Sequence, residues 1–138
     1  MTTQYQKPTP EINDENRAFW EGCRKGELRV QKCSHCSHIR HLSPACPQCL
    51  KAEHEWVAAS GRGTVYSWIV VHQRYNRAFE EDLPYNVTIV ELDEGPRMVT
   101  SLVDVENQDI KAGTPVEVVF DRVTEEITLP KIKRIGFR

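Results

Sequence analysis

Four cysteines stand in two pairs of identical spacing, Cys33-Ser34-His35-Cys36 and Cys46-Pro47-Gln48-Cys49. Two intervening residues let one tight turn offer both sulfurs to a single ion, and a second such turn completes a tetrahedron. Zinc suits four thiolates, and four protein ligands leave no position for water or substrate, so the site reads as structural, with iron as the alternative metal. In a reducing compartment such pairs point to a metal and not to a disulfide framework. The residue after each pair is often Gly because the backbone turns sharply there; Ser37 and Leu50 occupy those positions here, which predicts strained turns. His35, His38, His41 and His54 are close enough in sequence to ligate, but four Cys already satisfy the ion, and they read as surface residues.

Other chemistry finds less support. Cys23 stands alone with no nameable base, and reads as a small buried apolar group. No Gly-x-Ser-x-Gly, phosphate loop or His-Glu-x-x-His occurs. Glu80-Glu81-Asp82 and the Glu91/Asp93/Glu94 group read as solvated loop and turn, and His72 as a half-exposed sheet residue.

The elements that must position the cysteines follow from pattern. Of 138 residues, 39% are hydrophobic and 28% charged, enough for one modest domain with a small appendage. Thr9-Pro10-Glu11 looks like a helix start, and Ile12, Asn16, Phe19, Trp20 and Cys23 share a face, predicting a helix over about 10–25 closed by Gly26. Phe19 and Trp20 either pack on this chain's own core or dock on a partner. Short strands are expected at Leu28–Lys32, Ile39–Leu42 and Glu53–Val57, a segment too small for its own core. Past a Ser60-Gly61-Arg62-Gly63 hinge, five strands are expected: Thr64–His72, Tyr85–Leu92, Arg97–Val103, Val116–Phe120 and Ile127 to about Ile135. In the first of these, Val65, Ser67, Ile69 and Val71 alternate with Tyr66, Trp68, Val70 and His72. The connection 104–114 leaves no room for a long helix. The expected fold is mainly β, with an N-terminal helix, a zinc ribbon and a five-stranded OB-fold Greek-key barrel; an SH3-like barrel is the rival. The division is 1–27 for the helical segment, 28–58 for the ribbon and 59–138 for the barrel. Residues 1–8 are expected to be loose.

The ensemble resembles a known family, the bacterial and archaeal proteins that join a rubredoxin-like zinc ribbon to an OB-fold and accompany acyl-CoA metabolism. The residues carrying the resemblance are Phe19-Trp20, Gly26-Glu27-Leu28, the two Cys pairs, Ser60 through Ser67, and Leu83-Pro84-Tyr85 through Arg97. Members usually carry a Pro pair between the knuckles, where this chain has His41-Leu42-Ser43-Pro44. The resemblance implies a non-catalytic accessory subunit in a cytoplasmic hetero-oligomer. Its partner would be a thiolase-superfamily enzyme (a thiolase, ketoacyl synthase or lipid-transfer-type aldolase) or a hotdog-fold hydratase. Carbon–carbon bond chemistry would then occur on the partner, with this chain helping to form or cover its CoA-thioester site.

A CoA nucleotide offers phosphates that Arg grips in bidentate fashion and an adenine that stacks on an aromatic ring or guanidinium. Arg17, Trp20, Arg24, Arg40 and Arg62 are the candidates; each also has a plain reading, as helix surface for Arg17 and Arg24, ribbon surface for Arg40 and hinge for Arg62. The competing function is single-strand nucleic-acid binding, for which Tyr66 and Trp68 would serve as stacking platforms. Against it, residues 59–138 hold 10 Lys+Arg and 13 Asp+Glu, a net charge of −3. A rubredoxin-like electron carrier or an independent enzyme is a third reading, supported by the cysteines alone. The longest apolar stretch, around Val65–Val71, falls far short of the roughly 20 residues that span a bilayer, and Met1-Thr2-Thr3-Gln4 opens no signal peptide, so a soluble, intracellular chain is expected.

Overall fold

The computed structural model describes residues 7–135, so most of the N-terminal stretch expected to be loose lies outside the described residues. Two antiparallel sheets and one helix make up the fold. Helix α1 covers Arg17–Arg24, and the strands are β1 (Arg29–Cys33), β2 (Ile39–Arg40), β3 (His54–Ala58), β4 (Arg62–Val71), β5 (Tyr85–Leu92), β6 (Arg97–Thr100), β7 (Pro115–Arg122) and β8 (Thr128–Arg134).

α1 begins seven residues later than the Thr9-Pro10 signal suggested. Asparagines explain the delay, because short amide side chains compete for backbone partners. Asn13 Oδ1 accepts from the amides of Glu15 and Asn16, both at 3.0 Å, and Asn16 Oδ1 accepts from the Asn13 amide at 2.8 Å. These bonds hold the preceding segment in turns. The far end behaves as expected: Gly26 adopts φ +76° and its amide reaches the Cys23 carbonyl. α1 packs against β1, β7 and β8 and so joins the two sheets. Its Gly22 lies against the following chain, where a Cβ would stand 2.7 Å from the Glu27 carbonyl oxygen. Phe19 and Trp20 are buried in the same apolar cluster as Leu28 and Val30 of the ribbon and Val65, Val90, Met98 and Ile132 of the barrel. Their apolar surface is thus spent on this chain's own core.

The ribbon sheet runs β2-β1-β3 and the larger sheet β6-β5-β4-β7-β8. The larger sheet curls until its ends meet: Leu102 bridges Ile132 in parallel, and the Ile132 amide donates to the Ser101 carbonyl at 3.0 Å. A curled five-stranded sheet with the longest strand first has the OB-fold arrangement. Inside it, the Asn86 side chain replaces ladder bonds near the closure, accepting from the Leu102 amide and donating to the Leu102 carbonyl, both at 2.9 Å. The 104–114 connection contains only a 3-10 turn at Asn107–Asp109, and a second 3-10 helix, Arg77–Asp82, occupies the loop after β4. The sequence-predicted hinge is tied down, since the Ser60 amide donates to Glu94 Oε2 at 2.8 Å.

The strict alternation expected along β4 fails. Val65 faces Val90 and Ser67 faces Ile89, so Tyr66 is the extra residue of a bulge. A bulge reverses the faces beyond it: Trp68 and Val70 pair with the buried Thr88 and Asn86, while Ile69 points out and is 62% exposed. β6 is also shorter than expected, ending at Thr100.

Candidate metal centre and the surfaces around it

Each Cys pair closes a tight turn. The Ser37 amide donates to the Cys33 carbonyl at 3.0 Å and the Leu50 amide to the Cys46 carbonyl at 2.8 Å. Ser37 and Leu50 are left in the left-handed region at φ 65° and 67°, the strain expected where Gly is absent. β1 delivers Cys33, and its pairing with β3 aligns Cys33 with His54. The four sulfurs lie within 4.8 Å of one another, with Cys33–Cys49 and Cys36–Cys46 both at 3.5 Å. A disulfide requires about 2.05 Å. A tetrahedron with Zn–S bonds of about 2.3 Å has edges of about 3.8 Å, so the donor set and its spacing fit a closed structural zinc site.

The electrostatics of the thiols point the same way. Amides of Cys36 and His35 pull the Cys33 thiol down to about 6. Cys36, although the His38 amide favours its thiolate, is driven up to about 12 by loss of solvent and by the sulfurs of Cys46, Cys33 and Cys49. Four thiolates this close repel one another, and a divalent ion is the group that lets all four ionise.

The histidines divide. His35 is exposed and lies 3.1 Å from Glu53, whose carboxyl it holds below the usual range. His41 departs from the surface reading: its ring stacks edge-on with Phe19 at 5.2 Å, and burial drives its imidazole down to about 4. His54 is partly buried in a polar network that spacing could not reveal. Gln31 Oε1 accepts from Arg40 Nε at 3.1 Å and from the Ser43 amide at 2.9 Å, which turns the Gln31 amide nitrogen toward His54 Nε2. His54 Nδ1 lies 2.9 Å from the Ala52 carbonyl oxygen and 3.2 Å from Arg40 Nη2. Cys23 is buried, and burial pushes its thiol up to about 12, as befits a small apolar group without chemistry.

Of the five CoA candidates, three come together. Arg17, Trp20 and Arg24 line one groove of about 370 Å³ with Ile12, Glu21 and Glu126. Arg40 is elsewhere, 3% exposed and spent inside the ribbon. Arg62 is exposed at the start of β4 and does not line that groove. Glu80, Glu81 and Asp82 are exposed, as a solvated reading requires, whereas His72 departs from the half-exposed sheet position expected: β4 ends at Val71 and His72 is exposed beyond it.

An apolar patch lies on the outward face of β4, β5 and β6. Ile69, Val71, Val87, Ile89 and Val99 meet across the β4-β5-β6 register, and Ile69 and Val99 are 62% and 66% exposed. The two expected stacking platforms do not share one face. Trp68 turns inward at the bulge, and the Arg97 guanidinium lies over the Tyr66 ring, which stays 48% exposed. No helix among the described residues is long and apolar enough to cross a membrane.

Residues 20–55 match the family described as the ChsH2 rubredoxin-like zinc ribbon domain, and residues 56–121 match that described as the ChsH2 C-terminal OB-fold domain. A DUF35 domain-containing scaffold protein of Pyrococcus furiosus is 34% identical over 108 residues, covering 78% of this chain and 79% of that protein. A probable enoyl-CoA hydratase alpha subunit of Thermomonospora curvata is 40% identical over 125 residues, covering 90% of this chain and 39% of that protein. This chain therefore spans well under half of that relative. A chain of the solved Ltp2-ChsH2(DUF35) aldolase superposes with a TM-score of 0.79 at 38% identity, covering 91% of this chain and 98% of that one.

Proposed function

The chain belongs to the DUF35 family, in which a ChsH2-type rubredoxin-like zinc ribbon is joined to a ChsH2-type OB-fold, and from that premise we propose that it serves as an accessory subunit of an acyl-CoA-processing enzyme. The partner is an aldolase or a hydratase, the two enzyme types that appear in the names of its relatives, and the family resemblance points to the thiolase superfamily for the aldolase. The reacting groups belong to that partner.

The observation that carries the reading is the apolar outer face of the barrel. β-Branched side chains at Ile69, Val71, Val87, Ile89 and Val99 form an apolar patch of the kind that monomeric proteins rarely leave open. Such a face favours a protein over a polyanion, which would require unpaired cations and free ring faces. A structural zinc held by Cys33, Cys36, Cys46 and Cys49 keeps the ribbon folded beside α1, and chelation is expected to unfold the ribbon before the barrel. Arg17 and Arg24, flanking Trp20 in one groove, suit the phosphates of a CoA bound at the partner interface, with Arg62 as an outlying candidate. Arg40 contributes through the ribbon's interior.

The test is recovery of the tagged chain from a nuclease-treated lysate of its host, with identification of whatever returns in stoichiometric amount. A thiolase-, aldolase- or hydratase-like subunit is expected. Return of the chain alone, or with proteins lost on nuclease treatment, would sink the reading.

A further inference from the structure

Arg40 is buried, yet no carboxylate pairs with it among the described residues. A buried cation without an anion is costly, and such groups are kept where something else requires them. Its guanidinium donates from Nε to the Gln31 side-chain oxygen at 3.1 Å and to the Ser43 carbonyl at 3.2 Å. Nη2 donates to the Ala52 carbonyl at 3.0 Å and lies 3.2 Å from His54 Nδ1.

These partners are not scattered. Gln31 precedes Cys33 on β1, His54 faces Cys33 across the β1–β3 register, Ser43 leads into the turn of Cys46, and Ala52 follows the turn of Cys49. Gln31 Oε1 reinforces the tie by accepting the Ser43 amide at 2.9 Å. One planar cation therefore clamps both arms of the second cysteine turn to the strands that carry the first.

We propose that Arg40 is the positioning residue of the metal centre: by bridging Gln31, Ser43 and Ala52 it sets the separation of the two cysteine turns and so the affinity and geometry of the bound zinc. The inference rests on the zinc reading. Groups that orient metal ligands from behind typically change affinity by about 10–100-fold when removed.

The experiment uses the full chain loaded with zinc and titrated against a chromophoric chelator, and the same proteins loaded with cobalt(II) for their visible spectra. Arg40→Met is expected to weaken zinc by about 10–100-fold and to broaden and weaken the tetrahedral cobalt bands. Val116→Ala, a barrel-core substitution that lowers stability away from the ribbon, is expected to leave both readouts at the wild-type value. Arg40→Lys keeps the charge but cannot span the acceptors, and is expected to lose affinity as well. Should Arg40→Met fail to fold, Arg40→Lys carries the test. A folded Arg40→Met or Arg40→Lys protein with wild-type zinc affinity and cobalt spectrum would overturn the proposal. So would an equal loss in Val116→Ala, which would make the effect one of general stability. A wild-type chain that takes up no zinc would remove the premise itself.

Discussion

The guanidinium carbon of Arg97 stands 3.8 Å from the centroid of the Tyr66 ring. Tyr66 is the unpaired residue of the β4 bulge, and Arg97 also donates from Nε to Glu91 at 3.2 Å, so one side chain of β6 braces the irregularity in β4 against β5. The ring and guanidinium are partly exposed, which places the contact at the low end for a cation–π pair. Arg97→Met is expected to cost about 0.5–1 kcal/mol in urea unfolding. A neutral result would mean that the bulge holds itself.

Relief of the strained turns should stabilise the ribbon. Leu50 holds φ 67° while 79% exposed, so its side chain gains little from burial in the free chain. Left-handed backbone costs an L-residue about 1–2 kcal/mol, and Gly returns part of that through the greater freedom of the unfolded chain. Leu50→Gly and Ser37→Gly are each expected to raise the stability of the zinc-loaded protein by about 0.5–1 kcal/mol. Lower melting temperatures for both would show that these residues make contacts worth more than the strain.

Acid should weaken the junction of α1 and ribbon through His41. Its folded imidazole is held down at about 4, against an ordinary value of 6.5. Between those values the unfolded chain takes up a proton that the folded chain does not, so stability falls as pH falls from about 6.5 to 4 and the loss is complete below that window. The contribution is about 3 kcal/mol across the window. Zinc release in acid affects wild type and variant alike, so the quantity to measure is their difference: His41→Leu should flatten the slope of unfolding free energy against pH. Parallel slopes would refute the assignment.

Charge on the outer sheet face should break assembly without unfolding the chain. Ile69 and Val99 are more than half exposed, so Ile69→Asp and Val99→Asp leave the core packing intact and are expected to change thermal stability by less than about 1 kcal/mol. Each should abolish stoichiometric recovery of the enzyme partner. Retention of the complex by both variants would move the interface elsewhere, with the Arg17–Trp20–Arg24 groove as the next surface to probe.

Much of the architecture was legible in the chain itself. Paired Cys-x-x-Cys spacings report a metal centre because tight turns and tetrahedral ligation are local geometry, and the strained Ser37 and Leu50 follow from the same turns. Short apolar runs bounded by turn residues placed the strands of the described residues to within a few positions, since strand propensity and turn chemistry are both local. Where local signals competed, reading failed: Thr9-Pro10 marks a helix start, but Asn13 and Asn16 win the backbone amides and delay it.

Other features existed only once distant segments met. The bulge at Tyr66 is a property of pairing with β5, and by reversing every later face it sent Trp68 inward and left Ile69 outside. Arg40 carries the sequence signature of a surface cation, yet Gln31, Ser43, Ala52 and His54 converge on it from four places in the chain. Local spacing can specify which groups a turn or strand presents. Which of them are buried together depends on long-range packing, where desolvation and hydrogen-bond satisfaction act on neighbours that no short window contains.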